Sequence, residues 1–324
     1  MVCPPVQAVS GEEIGRLVTR LERYGLQTAQ VRCFLLLLQQ GVNDSEYWVF
    51  ASDEDTAEAP VTLVITLPLP GLLVMDAFCA DSPAGHDRLL AALLCDPVSR
   101  LLWRPDRRLR ADSWPVRLRP ALERAAGRRG YTVTPVSAGA CLFVREADGA
   151  PDTEVAQLSA PDDVEVRPLS MCHLERVQQH WPYLRHVPDA AAILRRSVQT
   201  GLSAGVFVRR RPAPDGPAEP QPVSWILLNT VGKLGFAHTL ETQRRRGLAR
   251  LALAELTRRC EARHLPAVVA TGRDNLGMLG AMRPLGFTAV HDVFWAVVAP
   301  PAPTPTDAAP QSADVTDSIG EPGS

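Results

Sequence analysis

The stretch that most limits the fold runs from residue 233 to 263: "KLGFAHTL", then "ETQRRRG", then "LARLALAELTRRCEAR". The first part suits a strand. The last carries Leu248, Leu251, Ala252 and Leu256 on one helical face, and Gly247 stands between the two. A strand that turns through glycine into an amphipathic helix requires a layered α+β fold in which helices cover a sheet. The same turn has a chemical consequence. The first N–H groups of a helix lack intrahelical partners, and the helix dipole places partial positive charge there. Gly247 and the small Ala249 let an anion approach the backbone, while Arg244, Arg245 and Arg246 supply charge-assisted bonds. No Gly-Lys-Ser/Thr follows, so this is not a P-loop; it reads as a pyrophosphate cradle.

Residues 11–40 read as helical, with Ile14, Leu17, Val18 and Leu21 at helical spacing. Strands follow at 46–51, 61–67 and 71–78. The apolar run 61–80 has transmembrane length but contains Pro68, Pro70 and Asp76, which favours two strands around a Pro-Gly turn. Helices are expected at 86–95 and 114–130, then a strand at 140–146. Residues 147–163 are polar and rich in Pro, Ala and Asp, placing a linker at 151–163. A second unit opens with a strand at 164–170 and helices around 172–181 and 189–200. An antiparallel run at 204–210, 222–229 and 233–240 comes next, interrupted by five prolines in 211–222. The cradle helix, a strand at 267–272, a helix at 275–283 and a strand at 287–298 complete it. The tail 300–324 is poor in apolar residues and is expected to be disordered. This order predicts two α+β units, 1–150 and 164–299, each a mixed, mostly antiparallel sheet flanked by helices.

Charge excludes one class of partner. The net charge of -2 and the absence of basic-aromatic interleaving argue against nucleic acid as the target of the arginines. Seven cysteines, odd in number and without CxxC spacing, fit a reducing compartment, and no His/Cys/carboxylate cluster has metal-ligand spacing. The N-terminus has neither a basic n-region nor an apolar h-region, which points to a cytoplasmic protein with no membrane partner. A mitochondrial address stays open as the second option, because Arg16, Arg20 and Arg23 recur, although Glu12, Glu13 and Glu22 interrupt them.

Arg244-Arg245-Arg246-Gly247-Leu248-Ala249 resembles the Q/R-x-x-G-x-G/A signature of the GNAT acyltransferases, and "DNLGMLGAMRPLGF" (274–287) resembles that superfamily's second motif. "PVSW" (222–225) followed by "HTLETQRRRGL" (238–248) resembles its glycine N-acyltransferase-like branch. The resemblance implies two GNAT-like domains, the N-terminal one degenerate because it lacks the arginine-glycine loop. It implies acyl-CoA as co-substrate, no metal, and a small amine or amino acid as acceptor. The strand ending at Leu240 would lie against the pantetheine. Arg244, Arg245, Arg246, Gly247, Leu248 and Ala249 would hold the pyrophosphate, with Asn275 nearby.

The function implied is an N-acyltransferase in which the amine of a small acceptor, glycine or another amino acid, attacks the acyl-CoA thioester directly in a ternary complex. Two departures bear on the proton acceptor. Lys233 follows Gly232 where glycine-conjugating relatives carry glutamate, and Met282 stands where many GNAT enzymes carry tyrosine. His238, on the strand entering the loop, is the best replacement base by residue type, against the plainer reading of a ring hydrogen-bonded within the sheet. Glu241 is the second candidate, against a solvated strand end. Asp274 reads as the cap of the next helix. Trp225 reads as core, and His180, Trp181 and His186 as surface residues with an acceptor pocket as the alternative. Lys233 alone supports a second reading, a coenzyme A-binding protein that has lost catalysis and acts by interaction.

Overall fold

The computed structural model describes residues 6–42, 45–52, 60–146, 161–181, 190–209 and 220–300. Most of the proline-rich stretch 211–222, His186, most of the linker and the tail beyond Pro300 lie outside the described residues.

The N-terminal half contains β1 (Gln7–Ala8), α1 (Ile14–Glu22), α2 (Ala29–Gln39), β2 (Glu46–Ala51), β3 (Val61–Leu69), β4 (Leu72–Cys79), α3 (Pro83–Leu94), α4 (Asp96–Leu102), β5 (Arg108–Pro115), α5 (Arg119–Arg128) and β6 (Thr132–Arg145). The C-terminal half contains β7 (Val164–Arg167), α6 (Leu174–His180), α7 (Ala190–Gln199), β8 (Ser203–Val208), β9 (Ser224–Leu228), β10 (Leu234–Thr239), α8 (Leu248–Glu261), β11 (Ala267–Gly272), α9 (Leu276–Met282) and β12 (Thr288–Ala299).

Period-2 alternation decides which helices cover which face. Along β3, Val61, Leu63 and Ile65 pack under α3, α4 and α5, while Val64 between them packs under α1 and α2. In the C-terminal half, Ile226 and Leu228 join the α8 core, and Trp225 and Leu227 join the core under α6 and α7. Helices therefore cover the sheet on both sides, which is why its central strands read as almost unbroken apolar runs.

β5 departs from expectation. Residues 114–130 were expected to be helical from the start, but Trp114 and Pro115 end a strand, and α5 begins at Arg119. The sequence "RLRADSWP" hides the strand behind polar residues that are tied up in the interior, and Ser113 adopts a left-handed φ of 55°. All strands join one sheet in the order β1-β2-β3-β4-β5-β12-β6-β11-β10-β9-β8-β7. The halves exchange their last strands. β6 pairs antiparallel with β11 of the other half, and β12 inserts between β5 and β6.

A buried polar cluster ties the halves at the point where β4 and β5 separate. Their parallel pairing ends at Met75 and Ala111, so Asp76 and Asp112 lie just past it. Lys233, from the β9–β10 turn, is 3% exposed; its ammonium forms an ion pair with the Asp112 carboxylate and donates to Ser113 Oγ at 3.0 Å. Trp295 Nε1 donates to the same carboxylate at 3.1 Å. Gln30 Nε2 donates to Asp76 Oδ2 at 2.6 Å and to the Asp112 carbonyl at 3.1 Å. The turn needs Gly232, whose φ is 82° and where a Cβ would meet Cys33 Sγ and Phe34 N at 3.1 Å.

The two carboxylates titrate in opposite directions. Burial alone would raise Asp112, but Lys233 and then Arg110 overcome it and hold the group down at about 2. Asp76 lacks direct contact with a cation, and burial dominates, pushing it up to about 7. Its folded value lies above its unfolded one, so the folded state holds this proton more tightly and stability falls as pH rises from about 4 to about 7. Asp76→Asn removes that penalty. It is expected to add about 1–3 kcal/mol at pH 8 and little near pH 4, as read by urea unfolding at the two pH values.

Candidate functional site

The site forms where two neighbouring strands part. β10 runs antiparallel to β9 but pairs in parallel with β11 only at Leu234↔Val269. A bulge between Gly235 and His238, with Phe236 at a φ of 57°, bends β10 away from β11. The edge of β10 past Leu234 therefore has no β11 partner, and a cavity of about 680 Å³ opens there.

α8 starts at this opening. Gly247 is its N-cap, with a left-handed φ of 75°, and no side chain caps the helix. The first helical bond runs from Leu251 N–H to the Gly247 carbonyl, which leaves the N–H groups of residues 248–250 without intrahelical partners. A Cβ built on Gly247 meets nothing within 4 Å, so the space before the helix end is open. Arg245 also adopts a positive φ, 65°, in the tight turn. Uncapped N–H groups, a helix dipole and arginine side chains form an arrangement suited to a phosphate-type anion.

Seven of the ten residues singled out from the sequence line this one cavity: His238, Arg244, Arg245, Gly247, Leu248, Ala249 and Asn275. The other three lie elsewhere. Arg246 turns outward and donates to Asp163 Oδ2 at 2.8 Å and to Gln243 Oε1 at 2.5 Å. Leu240 packs against two apolar cores. The Glu241 side chain is 89% exposed, 3.9 Å from Arg244. Asn275, rather than Asp274, caps α9: its Oδ1 accepts from Met278 N–H at 3.2 Å, and its Nδ2 donates to Thr271 Oγ1 at 3.1 Å.

Sequence reasoning passed over Arg250, which lines the cavity and whose buried Nε has no hydrogen-bond partner among the described residues. Its position one turn past Gly247 was the available signal. Gly277, Met278, Gly280 and Ala281 of α9 form the opposite wall.

His238 is half-buried, and its ring makes no hydrogen bond among the described residues, unlike a histidine tied into the sheet. It packs instead against two rings, Trp225 at 5.2 Å between centroids and His180 at 5.2 Å. Desolvation first, then the charges of His180, Arg244 and Arg176, lower its pKa below the ordinary histidine value. Desolvation and Arg176 lower His180 as well. Trp225 is 1% exposed, and its Nε1 is a buried donor without a partner among the described residues, as is Arg176 Nε. Trp181 closes this side by packing edge-on to Phe236, with centroids 4.9 Å apart. His180 and Trp181, expected at the surface, thus pack beside the site against His238 and Phe236, because α6 lies across β9 and β10.

The corresponding place in the N-terminal half is built differently. There the first turn of α3 is capped by its own Ser82, which accepts from Gly85 N–H at 3.0 Å, and Pro83 removes a further N–H. Arg117 reaches back to the Cys79 carbonyl at 3.0 Å. That helix end has no comparable set of free donors for an anion.

Among the described residues, no group of three or more His, Cys, Asp or Glu side chains is placed to hold a metal ion, and no helix is long and apolar enough to cross a membrane. A family model described as FR47-like protein matches residues 219–296, from just before β9 into β12. Among solved structures, the chain is similar to a Drosophila protein, with a TM-score of 0.63 and 15% identity over 92% of this chain and 99% of that one. It is also similar to a tandem GNAT protein from the clavulanic acid biosynthesis pathway, with a TM-score of 0.48 and 16% identity over 92% and 99%. A GCN5-related N-acetyltransferase from Kribbella flavida follows, with a TM-score of 0.44 and 18% identity over 87% and 99%. No curated protein matches. The fold is a mixed α+β architecture whose open, mostly antiparallel sheet is flanked by helices; at these identities the likeness is one of fold alone.

Proposed function

We propose that this chain is an N-acyltransferase that moves an acyl group from acyl-CoA to the amine of a small acceptor by direct attack in a ternary complex. One observation carries the reading: an uncapped helix N-terminus and an unbonded, neutral-leaning histidine open onto the same cavity. The N–H groups after Gly247, together with Arg244, Arg245 and Arg250, hold the pyrophosphate of the co-substrate. The unpaired edge of β10 offers backbone donors to the pantetheine and the thioester carbonyl. The acceptor arrives as an ammonium ion, and His238 takes a proton from it. The amine nitrogen then attacks the carbonyl carbon, the C–S bond breaks, and the thiolate leaves as thiol with the second proton from the nitrogen.

The acceptor lies toward α6, where Trp225 Nε1 and Arg176 Nε are buried donors without partners beside the two histidines. Such donors suit an acceptor that carries oxygen atoms, and a carboxylate suits them best, which favours glycine or another amino acid. The likeness of "PVSW" and "HTLETQRRRGL" to the glycine N-acyltransferase-like branch points the same way. His238 is preferred to Glu241 as the base because Glu241 stands in solvent, outside the cavity wall. Lys233, the support for a non-catalytic reading, has a structural account in its pairing with Asp112.

A screen of acyl-CoAs against amino acids and other amines, read by thiol release, tests the reading. His238→Ala is expected to lower turnover about 10²–10⁴-fold while calorimetric affinity for coenzyme A changes by no more than a few-fold. Wild-type rates in that variant would remove His238 as the base. Because the base must be neutral and its pKa is lowered, the acidic limb of kcat/KM is expected below pH 6.5.

A further inference from the structure

β10 contains one residue whose backbone conformation opposes its side chain. Phe236 sits at a φ of 57°, and it is the only aromatic among the described non-glycine residues with positive φ. For a bulky side chain the left-handed region is an outlier, kept only where the surroundings over-determine it. Glycine is the residue that takes this conformation without cost, yet the neighbouring Gly235 is not the one with positive φ. The phenyl ring must therefore hold the position. It packs edge-on to Trp181, the C-cap of α6, with centroids 4.9 Å apart and planes at 81°. Both rings pack against the core under α6 and α7 that contains Trp225 and Leu227.

The consequence falls on His238. Between paired positions, β9 takes two steps from Leu227 to Trp225, while β10 takes three from Gly235 to His238. One extra residue inverts the alternation of side chains beyond it. In an unbroken strand His238 would share the face of Leu234, which joins the core under α8. With the bulge it stands opposite Trp225 instead, and the two rings lie 5.2 Å apart.

We propose that Trp181 and Phe236 form an aromatic latch that fixes this register and so sets the face of the sheet on which His238 is presented. The inference rests on the acyl-transfer reading above, in which His238 is the base. Both are positioning residues: they act through the backbone of β10, with no contact to the thioester required. Without the ring contact, nothing offsets the left-handed backbone of a phenylalanine. β10 then straightens, and the histidine turns from the Trp225 face toward α8. The end of α6 thereby controls the geometry of a strand that belongs to the cavity wall.

The test uses glycine's tolerance of the left-handed region. Thiol release is measured on the full chain for wild type, Trp181→Ala, Phe236→Val and the double variant Trp181→Ala/Phe236→Gly, with circular dichroism checking each fold. Trp181→Leu replaces the alanine variant if that one does not fold. Trp181→Ala and Phe236→Val are each expected to lower kcat about 10–10²-fold, with Kd for coenzyme A within about threefold, because the cradle belongs to a different element. Adding Phe236→Gly to Trp181→Ala is expected to recover most of the lost kcat, since glycine keeps the bulge without a ring to hold it. Removal of a second ring cannot rescue a simple packing defect. A double variant no faster than Trp181→Ala, or wild-type kcat in Trp181→Ala, would overturn the latch and leave the acyl-transfer reading intact. Ring-to-ring NMR contacts between His238 and Trp225 in the unliganded protein give a readout independent of turnover. They are expected to disappear in Trp181→Ala and return in the double variant; persistence in Trp181→Ala refutes the latch. If the contacts behave as expected but the wild type shows no turnover, the acyl-transfer reading alone fails.

Discussion

Gly247→Glu is expected to abolish coenzyme A binding while leaving the protein folded. The substitution acts three ways at one point. A non-glycine residue at a φ of 75° costs about 1–2 kcal/mol, which the turn must absorb or relax away. The new side chain projects into the open space before the helix end, where nothing lies within 4 Å of the added Cβ. Its carboxylate also brings negative charge to the spot that the helix dipole and Arg244, Arg245 and Arg250 prepare for an anion. Losing two charge-assisted bonds alone amounts to about 3 kcal/mol, roughly a hundredfold in Kd. Calorimetry on the variant, with circular dichroism confirming the fold, measures the effect. Gly247→Ala provides the graded case, with the strain but little of the obstruction. Unchanged affinity in Gly247→Glu would show that the anion binds elsewhere, and the assignment of this loop as the pyrophosphate cradle would fail.

Lys233→Ala is expected to be the most destabilising single substitution of a charged residue in the chain. Truncating the side chain leaves the Asp112 carboxylate buried at the junction of the halves with its closest cation removed. Breaking one partner of a buried pair typically costs about 3–5 kcal/mol, because the remaining charge is neither solvated nor compensated. For a chain of this size, that corresponds to a fall in melting temperature on the order of 10 °C. The cost falls on both halves together, since Lys233 comes from the C-terminal half and Asp112 from the N-terminal half. A second change, Asp112→Asn, should recover part of the loss by removing the orphaned charge, so a double-mutant cycle measures the coupling. Below its unfolding temperature, the variant should still bind coenzyme A, since Lys233 is absent from the cavity wall. A variant with full stability but no turnover would reverse the assignment and make Lys233 part of the chemistry.

Much of the fold was legible in the sequence because it is written in local periodicity. β11 begins and ends where the run "AVVATG" does, and α8 begins one residue after the glycine that announces it. β5 escaped notice because its polar residues Asp112 and Ser113 are satisfied by partners far along the chain rather than by solvent. The turn into α8 was legible for the same local reason as α8 itself: loop, glycine and helix are contiguous. The histidine pair was not. His180 and His238 lie in separate elements, and neither stretch carries a sign that the other will stack on it.

The sequence by itself determined the layered α+β class and the strand–glycine–helix turn through residues 240–249. Each follows from residues within a few positions of one another, through backbone conformation and side-chain period. Only the tertiary structure decided that Arg246 turns to Asp163 while Arg250 lines the cavity, that β6 and β12 change places, and that Lys233 is an interior tie with its partner 121 residues away. Periodicity states which face of an element is buried, but not which distant group it will meet. That choice is made when desolvated charges and orphaned donors find partners in the assembled core.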